Sequence, residues 1–230
     1  MPSKLSRSAV TKLDCASVFE RILLMQFSKP FLVSISDDYR NILAAVDKHV
    51  PFNKSERNVR PYLGIIVPVD TRLYALPFVS PKPKFKNWKE RPGYFPLKDN
   101  RLGALQIINM LPIAFHPSVI LPIHISHYTE IDKGYGNIIK SQYEFLSAGN
   151  NLERACKNAE TLLERHRSNT LSPTLEKVAL DFTALEERLT QYLIANNLPQ
   201  ELAFADSQNI DLAKPTLTVP NAANIDDTVP

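Results

Sequence analysis

Short apolar runs, separated by prolines and turn residues, fill residues 31–125, and they constrain the fold more than any other feature. They are Phe31–Ile35, Tyr62–Val69, Leu73–Val79, Leu102–Asn109, Leu111–Phe115 and Val119–Ile125. Strands that follow one another without intervening helices pair antiparallel, because parallel pairing needs a long crossover connection. The sequence therefore predicts a mainly antiparallel sheet in which the second and third runs form a β-hairpin.

Helical patterns interrupt the strands once and then replace them. The first helix is predicted from Asp37 to about His49, with Ser36 as its N-cap. Apolar residues at helical spacing predict two more helices, over residues 138–146 and 152–163. A further helix is predicted to begin at Pro173 and to run to Tyr192, because Ser172 is a favoured cap and proline a favoured first residue.

The two ends of the chain differ from the part between them. A short amphipathic helix is predicted at Cys15–Phe27. Beyond about Ala203 the chain is polar and lacks an amphipathic period, which predicts disorder. We therefore predict an N-terminal extension at 1–30, a main domain at 31–168, an additional helix at 169–202 and an acidic tail at 203–230.

Glycine and cysteine usage excludes several classes of protein. The six glycines are placed so that neither a dinucleotide-binding motif nor a P-loop can be written. Cys15 and Cys156 lie far apart, which argues against a thiolate zinc site and a disulfide-rich secreted scaffold. The apolar runs are too short to cross a bilayer, and the N-terminus has no secretory-signal pattern. The sequence thus favours a cytoplasmic protein.

Charge is unevenly distributed along the chain, although the formal net charge is only +3. From Glu201 onward there are five acids and one base. Seven bases against two acids fall in the segment from Lys82 to Arg101, which we call the basic loop. Such a surface suits a polyanion such as RNA, although a solvated loop would have the same composition.

Two groups of residues could carry chemistry. Ser80-Pro81-Lys82 follows a predicted strand, so a hydroxyl and an ammonium can point at one anion. On spacing alone, an ordinary turn is the more common explanation of this tripeptide. His116, His124 and His127 cluster near the end of the predicted sheet, but their spacing matches no metal-binding signature. We therefore predict no metal site and no cofactor.

Five segments in order resemble the ToxN/AbiQ-like endoribonucleases of type III toxin–antitoxin systems. No segment is specific alone, but their order and separation make the resemblance strong over about residues 31–165. The segments are Phe31–Tyr39 with Asp47, Lys48, Val50 and Pro51 after it; Arg60–Val67; Tyr74–Lys82; Leu102-Gly103 with Asn109–Ile113; and Tyr135–Gln142 with Phe145, Leu146 and Ala159.

This resemblance implies a fold, an activity and a partner. The fold would be α+β, a strongly twisted antiparallel sheet wrapped by helices, similar to the Kid and MazF toxins. The activity would be metal-independent cleavage of cellular or phage RNA, with a role in phage defence by abortive infection. The partner would be a repetitive antitoxin RNA that folds as a pseudoknot, is processed by the toxin and binds it in a protein–RNA assembly.

The resemblance also implies which residues form the catalytic site. The family's active-site tyrosine falls on Tyr39, and its Ser-Pro-Lys residues fall on Ser80 and Lys82. Where members usually have Thr or Ser before that serine, this chain has Val79. Lys82 would neutralise phosphoryl charge, Ser80 would donate a directed hydrogen bond, and Tyr39 would donate a proton or hydrogen bond or stack on a base.

RNA binding beyond the catalytic residues is assigned to the basic loop. The 2′-OH of RNA would attack the phosphorus, giving a 2′,3′-cyclic phosphate and a 5′-OH. Cations of the loop would contact the RNA backbone, and its aromatic rings would stack on unpaired bases. The residues assigned to RNA binding are Lys84, Lys86, Trp88, Lys89, Arg91, Tyr94 and Arg101.

Two other functions fit the same residues. The chain could be a non-catalytic RNA-binding protein in which the basic loop binds the RNA backbone and Trp88, Tyr94 and Phe95 stack on unpaired bases. It could also be a metal-dependent hydrolase that uses the three histidines. Cleavage in the presence of EDTA separates the three, because the metal-independent nuclease cuts, the binding protein never cuts, and the hydrolase stops.

Overall fold

The computed structural model describes residues 30–51, 60–67, 71–123 and 125–204. The predicted N-terminal helix at Cys15–Phe27 lies outside these residues, as does the predicted tail at 203–230 apart from its first two residues. Those two are ordered: Ala203 ends a 3₁₀ turn at Gln200–Ala203, and Phe204 forms a β-bridge with Arg72. No helix in the described ranges is both long and apolar enough to cross a membrane.

The described residues contain one seven-stranded sheet in which all pairs are antiparallel. The strands are β1 Phe31–Ile35, β2 Tyr62–Val67, β3 Arg72–Val79, β4 Phe95–Pro96, β5 Ala104–Leu105, β6 Leu111–Pro112 and β7 Ile120–Pro122. Their order in the sheet is β4-β5-β3-β2-β1-β7, and β6 also pairs with β3. The predicted hairpin is confirmed as β2 and β3.

The last three predicted strands are shorter in the structure. The run 102–109 contains only the two residues of β5, followed by a 3₁₀ turn at Ile107–Asn109. Pro112 and Pro117 cannot donate ladder hydrogen bonds, which limits the pairing of the next two runs. β4 was not predicted, because a two-residue strand inside a basic loop has no hydrophobic period.

Six helices are described, and the α+β class is confirmed. α1 ends five residues before the predicted His49. α2 begins at Ile125, the last residue of a predicted strand, and continues through a segment for which neither a helix nor a strand was predicted. The predicted helix from Pro173 to Tyr192 is divided into α5 and α6. The helices are α1 Asp37–Ala44, α2 Ile125–Ile131, α3 Lys133–Ser147, α4 Asn151–Arg167, α5 Pro173–Glu176 and α6 Phe182–Ala195.

α6 packs into the same core as the sheet. Its apolar stripe of Phe182, Leu185, Leu189 and Leu193 is at most 1% exposed and belongs to one cluster with the side chains of β1 and β3. Burial of such side chains stabilises the fold by about 1.5–3 kcal/mol each relative to exposure. The helix predicted as an addition to the main domain is therefore part of its core.

Candidate functional site

Ser80 and Lys82 lie where β3 leaves the sheet. Both residues are exposed. The Lys82 backbone is extended, and Pro83–Phe85 form a 3₁₀ turn directly after it. Within the described part of the chain, neither side chain has a hydrogen-bond or ion-pair partner. A free hydroxyl and a free ammonium two residues apart can therefore contact one anionic group.

The backbone at Val79 and Ser80 is fixed by the neighbouring strand. Val79 pairs with Ala104 of β5, and Gly103 precedes that strand with a φ of +89°. A Cβ atom at Gly103 would stand 1.9 Å from the Val79 carbonyl oxygen. Only glycine permits this approach and this φ together. This close packing fixes the backbone position from which the Ser80 side chain extends.

Strand register brings the backbone of Arg60 level with Val79, the residue before Ser80. The Phe78 N–H donates to the Pro61 carbonyl at 3.3 Å, so Arg60 stands one residue further, level with Val79. Val33 pairs with Tyr62 on the other side, which puts Ile35 level with Arg60 as well. The ends of β1 and β3 and the start of β2 thus meet at one end of the sheet, which we call the Ser80 end.

The charge of Arg60 affects the pKa of two tyrosines. Burial raises the pKa of Tyr62 to about 12, and the Arg60 guanidinium opposes that rise. Burial likewise raises the pKa of Tyr135 on α3, again opposed by Arg60. Arg60 itself is half-buried. The sequence analysis gives Arg60 no role in the site, although Arg60 begins one of the segments that resemble the family.

The structure places Tyr39 in the core. Its side chain is fully buried, its hydroxyl donates to the Pro112 carbonyl at 2.8 Å, and its ring centroid lies 5.3 Å from that of Tyr192. Burial raises the pKa of Tyr39 well above its ordinary value, and Tyr192 adds to the rise. Pro112 pairs with Tyr74, which is about 20 Å from Ser80 along β3 at roughly 3.3 Å per residue. The structure therefore does not bring the Tyr39 hydroxyl to Ser80.

The basic loop exposes its cations and buries most of its rings. Trp88 is 38% exposed, and the Arg91 guanidinium lies 4.8 Å from its ring centroid. Tyr94 is 2% exposed, and its hydroxyl donates to Asn100 at 2.6 Å. Phe95 is 1% exposed, so of the three rings predicted to stack on bases only that of Trp88 faces solvent. Six predicted RNA contacts are exposed: Lys84, Lys86, Trp88, Lys89, Arg91 and Arg101.

An acidic residue of the basic loop, Glu90, connects the loop to α4 by hydrogen bonds. Glu90 accepts hydrogen bonds from Arg154 and from the Asn158 amide, the latter at 2.9 Å. The carboxylate of Glu90 is thus directed toward the protein, while the loop's cations face solvent. This arrangement concentrates positive charge on the outer surface of the loop.

The histidines and a separate cleft do not extend this site. His116 contacts Ser118 at 2.7 Å, and the side chains of His124 and His127 lie outside the described residues. No three metal-ligating His, Cys, Asp or Glu residues converge in the ranges that the structure describes. A cleft of about 900 Å³ opens between the end of α1 and the segment 166–183, and it is lined by neither Ser80 nor the basic loop.

Comparisons with known proteins converge on one family. The family model for the toxin ToxN of type III toxin–antitoxin systems matches residues 31–190. Endoribonuclease ToxN of Bacillus thuringiensis subsp. kurstaki is 30% identical over 167 residues, which is 71% of this chain and 84% of that protein.

Solved structures give the same result. A bacterial type III toxin inhibited by a non-coding RNA pseudoknot is 28% identical, with a TM-score of 0.57 over 71% of this chain and 98% of that one. The lactococcal anti-phage endoribonuclease AbiQ is 17% identical, with a TM-score of 0.55 over 71% of this chain and 98% of its own. At that identity the AbiQ likeness shows the fold alone.

Proposed function

Because this chain belongs to the ToxN family of endoribonuclease toxins of type III toxin–antitoxin systems, we propose that it cleaves RNA at the Ser80 end of the sheet without a metal ion. One observation carries the proposal. Ser80 and Lys82 are exposed there, and neither side chain has a hydrogen-bond or ion-pair partner among the residues that the structure describes.

The proposed chemistry uses the nucleophile that RNA itself supplies. The 2′-oxygen forms a bond to phosphorus while the bond to the 5′-oxygen breaks, and a proton passes from the first oxygen to the second. Negative charge grows on the phosphoryl oxygens during this step. Lys82 and Arg60 neutralise that charge, and Ser80 donates a hydrogen bond that orients the phosphate. The products are a 2′,3′-cyclic phosphate and a 5′-OH.

Val79 is compatible with this scheme. Its side chain packs against the aromatic cluster of Phe85 and Tyr94 at the base of the loop. A hydroxyl at that position would lie against these rings rather than beside the Lys82 ammonium. The two cations and one hydroxyl of the Ser80 end therefore form the proposed set of phosphate contacts.

The basic loop provides the proposed surface for folded RNA. Its exposed cations, Lys84, Lys86, Lys89, Arg91 and Arg101, would contact phosphates, and Trp88 would stack on an unpaired base. One relative is inhibited by an RNA pseudoknot, and another solved relative belongs to an antiviral system regulated by a processed non-coding RNA. We propose that this chain binds and processes a repetitive antitoxin RNA and acts in phage defence.

The test is cleavage of RNA by the purified protein in excess EDTA, followed by analysis of the new ends. We expect cleavage to persist and the fragments to carry 2′,3′-cyclic phosphate and 5′-OH ends. Tight RNA binding without cleavage would favour the non-catalytic RNA-binding protein. Cleavage abolished by EDTA and restored by a divalent ion would favour the metal-dependent hydrolase.

A further inference from the structure

The turn at Leu97–Gly103, which follows β4, has an unusual backbone. Three consecutive residues that are not glycine have left-handed φ angles: Lys98 at 50°, Asp99 at 54° and Asn100 at 66°. Side chains disfavour this region because the Cβ approaches the following carbonyl oxygen. Such residues persist only where the surrounding structure holds them.

Two buried amide side chains hold this turn. Asn100, 8% exposed, accepts from the Tyr94 hydroxyl and donates to the Trp88 carbonyl at 2.9 Å, which ties the turn to the earlier part of the basic loop. Gln142 of α3, 1% exposed, donates from Nε2 to the Leu102 carbonyl at 2.6 Å. The hydrogen bond from Gln142 ties the turn to α3, a helix of the main core.

The Leu102 carbonyl is adjacent to the contact that fixes Ser80. It belongs to the peptide that continues into Gly103, whose Cα faces the Val79 carbonyl and Ser80. The Gly103 carbonyl in turn accepts from the Leu97 N–H at 2.9 Å, which closes the turn. Movement of the Leu102–Gly103 peptide therefore moves the backbone that carries the Ser80 hydroxyl.

We propose that Gln142 is a positioning residue for RNA cleavage, because it holds the Leu102–Gly103 peptide against the backbone of Ser80. This inference rests on the proposed function of the Ser80 end. A purely structural role explains the side chain poorly, because its Oε1 atom is buried without a hydrogen-bond partner in the described part of the chain. An apolar side chain of similar size would avoid that cost, and it would leave the turn free to move.

The first experiment compares Gln142→Leu with the wild-type protein in single-turnover cleavage of a short RNA. We expect the rate at saturating protein to fall by about tenfold to a hundredfold, since a displacement of about 1 Å at a catalytic group has effects of this size. The concentration for half-saturation should change less than threefold. Asn151→Leu is the matched control, because Asn151 donates to the Phe145 and Ala148 carbonyls in the turn between α3 and α4.

A second variant tests the hydrogen bond itself. In Gln142→Glu only the protonated carboxyl can donate to the Leu102 carbonyl, and burial raises the pKa of such a group above its usual value. The ratio of the variant's rate to the wild-type rate should therefore be highest at low pH and fall as pH rises through that pKa. A merely structural role predicts a ratio that is independent of pH, measured on the folded protein.

The outcomes separate the two proposals. If the wild-type protein cleaves RNA and folded Gln142→Leu cleaves as fast, the positioning role is overturned while the proposed function stands. If Gln142→Leu does not fold, the pH dependence of Gln142→Glu decides the positioning role. If the wild-type protein does not cleave RNA, the proposed function fails and the positioning role fails with it.

Discussion

Cations lie near both ends of β3: those at its start are paired with a carboxylate, whereas Lys82 at its other end has no such partner in the described part of the chain. At its start, Glu186 of α6 accepts from the Tyr74 hydroxyl, binds Arg167 at 3.0 Å and lies 3.6 Å from Arg72. The Glu186 side chain is only 13% exposed. At the other end, Lys82 is exposed and no carboxylate in the described part of the chain pairs with it. The fold neutralises the cations at one end and leaves the other end available for a ligand.

This difference indicates which cations stabilise the protein and which act on RNA. A partly buried ion pair is costly to break, because removing one partner leaves a charge without compensation. An exposed lysine without a partner can be removed with little effect on folding. Substitutions at the two ends should therefore affect stability and activity in opposite proportions.

The largest expected effect is that of Lys82→Ala on cleavage. We expect the rate to fall by about a hundredfold to a thousandfold, because a charge that stabilises the transition state contributes roughly 3–4 kcal/mol to the barrier. The midpoint of thermal unfolding should stay within about 2 °C, since substitution of an exposed residue without structural contacts usually alters the free energy of unfolding by less than about 0.5 kcal/mol. Undiminished cleavage, or undiminished growth inhibition at equal expression, would remove Lys82 from the proposed site.

Glu186→Gln should show the reverse pattern at the other end of β3. We expect the free energy of unfolding to fall by about 3 kcal/mol, because Arg72 and Arg167 lose their shared carboxylate. Cleavage per folded molecule should change less than twofold. The measurements are denaturant unfolding and single-turnover cleavage at a temperature where the variant is folded. A large loss of cleavage in the folded variant would mean that the two ends are coupled.

Local sequence signals predicted the parts of the Ser80 end that lie close together in the chain. Ser36 is the observed N-cap of α1, where its hydroxyl accepts from the Tyr39 N–H at 3.2 Å. Ser80 follows a strand that ends where Pro81 and Pro83 make further pairing unfavourable. The position of Arg60 level with Val79 could not be predicted, because it depends on the register between β2 and β3.

Contacts between distant segments explain the other differences. The apolar period suggested one helix from Pro173 to Tyr192, but Asp181 begins α6 as a new N-cap, and its N–H donates to Asp47 at 3.1 Å. The burial of Tyr39 likewise depends on Tyr192, far along the chain. The family model also extends to residue 190, past the domain boundary that we predicted at residue 168.

Neutralising the basic loop should affect folded RNA more than a short substrate. We expect the combined variant Lys84→Gln, Lys86→Gln and Lys89→Gln to lower the slope of log affinity against log salt by about two units, somewhat under one for each phosphate contact. Cleavage of a short RNA should fall less, because it depends mainly on the Ser80 end. The measurement is antitoxin-RNA binding across a salt series, with single-turnover cleavage of a short RNA.

The control for that experiment neutralises cations elsewhere on the surface. Lys48 and Lys177 line the separate cleft, and the double variant Lys48→Gln and Lys177→Gln should leave the salt slope unchanged. An unchanged slope in the loop variant as well would mean that the loop is solvated and does not contact RNA. Equal losses of binding and cleavage would instead place the three lysines in the catalytic groove.

The smallest expected effect is that of Tyr39→Phe, and it tests whether the Tyr39 hydroxyl belongs to the core or to the reaction. The substitution leaves the Pro112 carbonyl without its 2.8 Å donor. We expect the free energy of unfolding to fall by about 1–2 kcal/mol, the usual cost of one lost buried hydrogen bond. Cleavage per folded molecule should change less than twofold, because the hydroxyl is buried and bonded to Pro112, whose partner Tyr74 lies about 20 Å from Ser80 along β3 at roughly 3.3 Å per residue. A hundredfold loss of cleavage at unchanged stability would give Tyr39 the catalytic role that the family resemblance implies, and it would require the ring to leave the core when RNA binds.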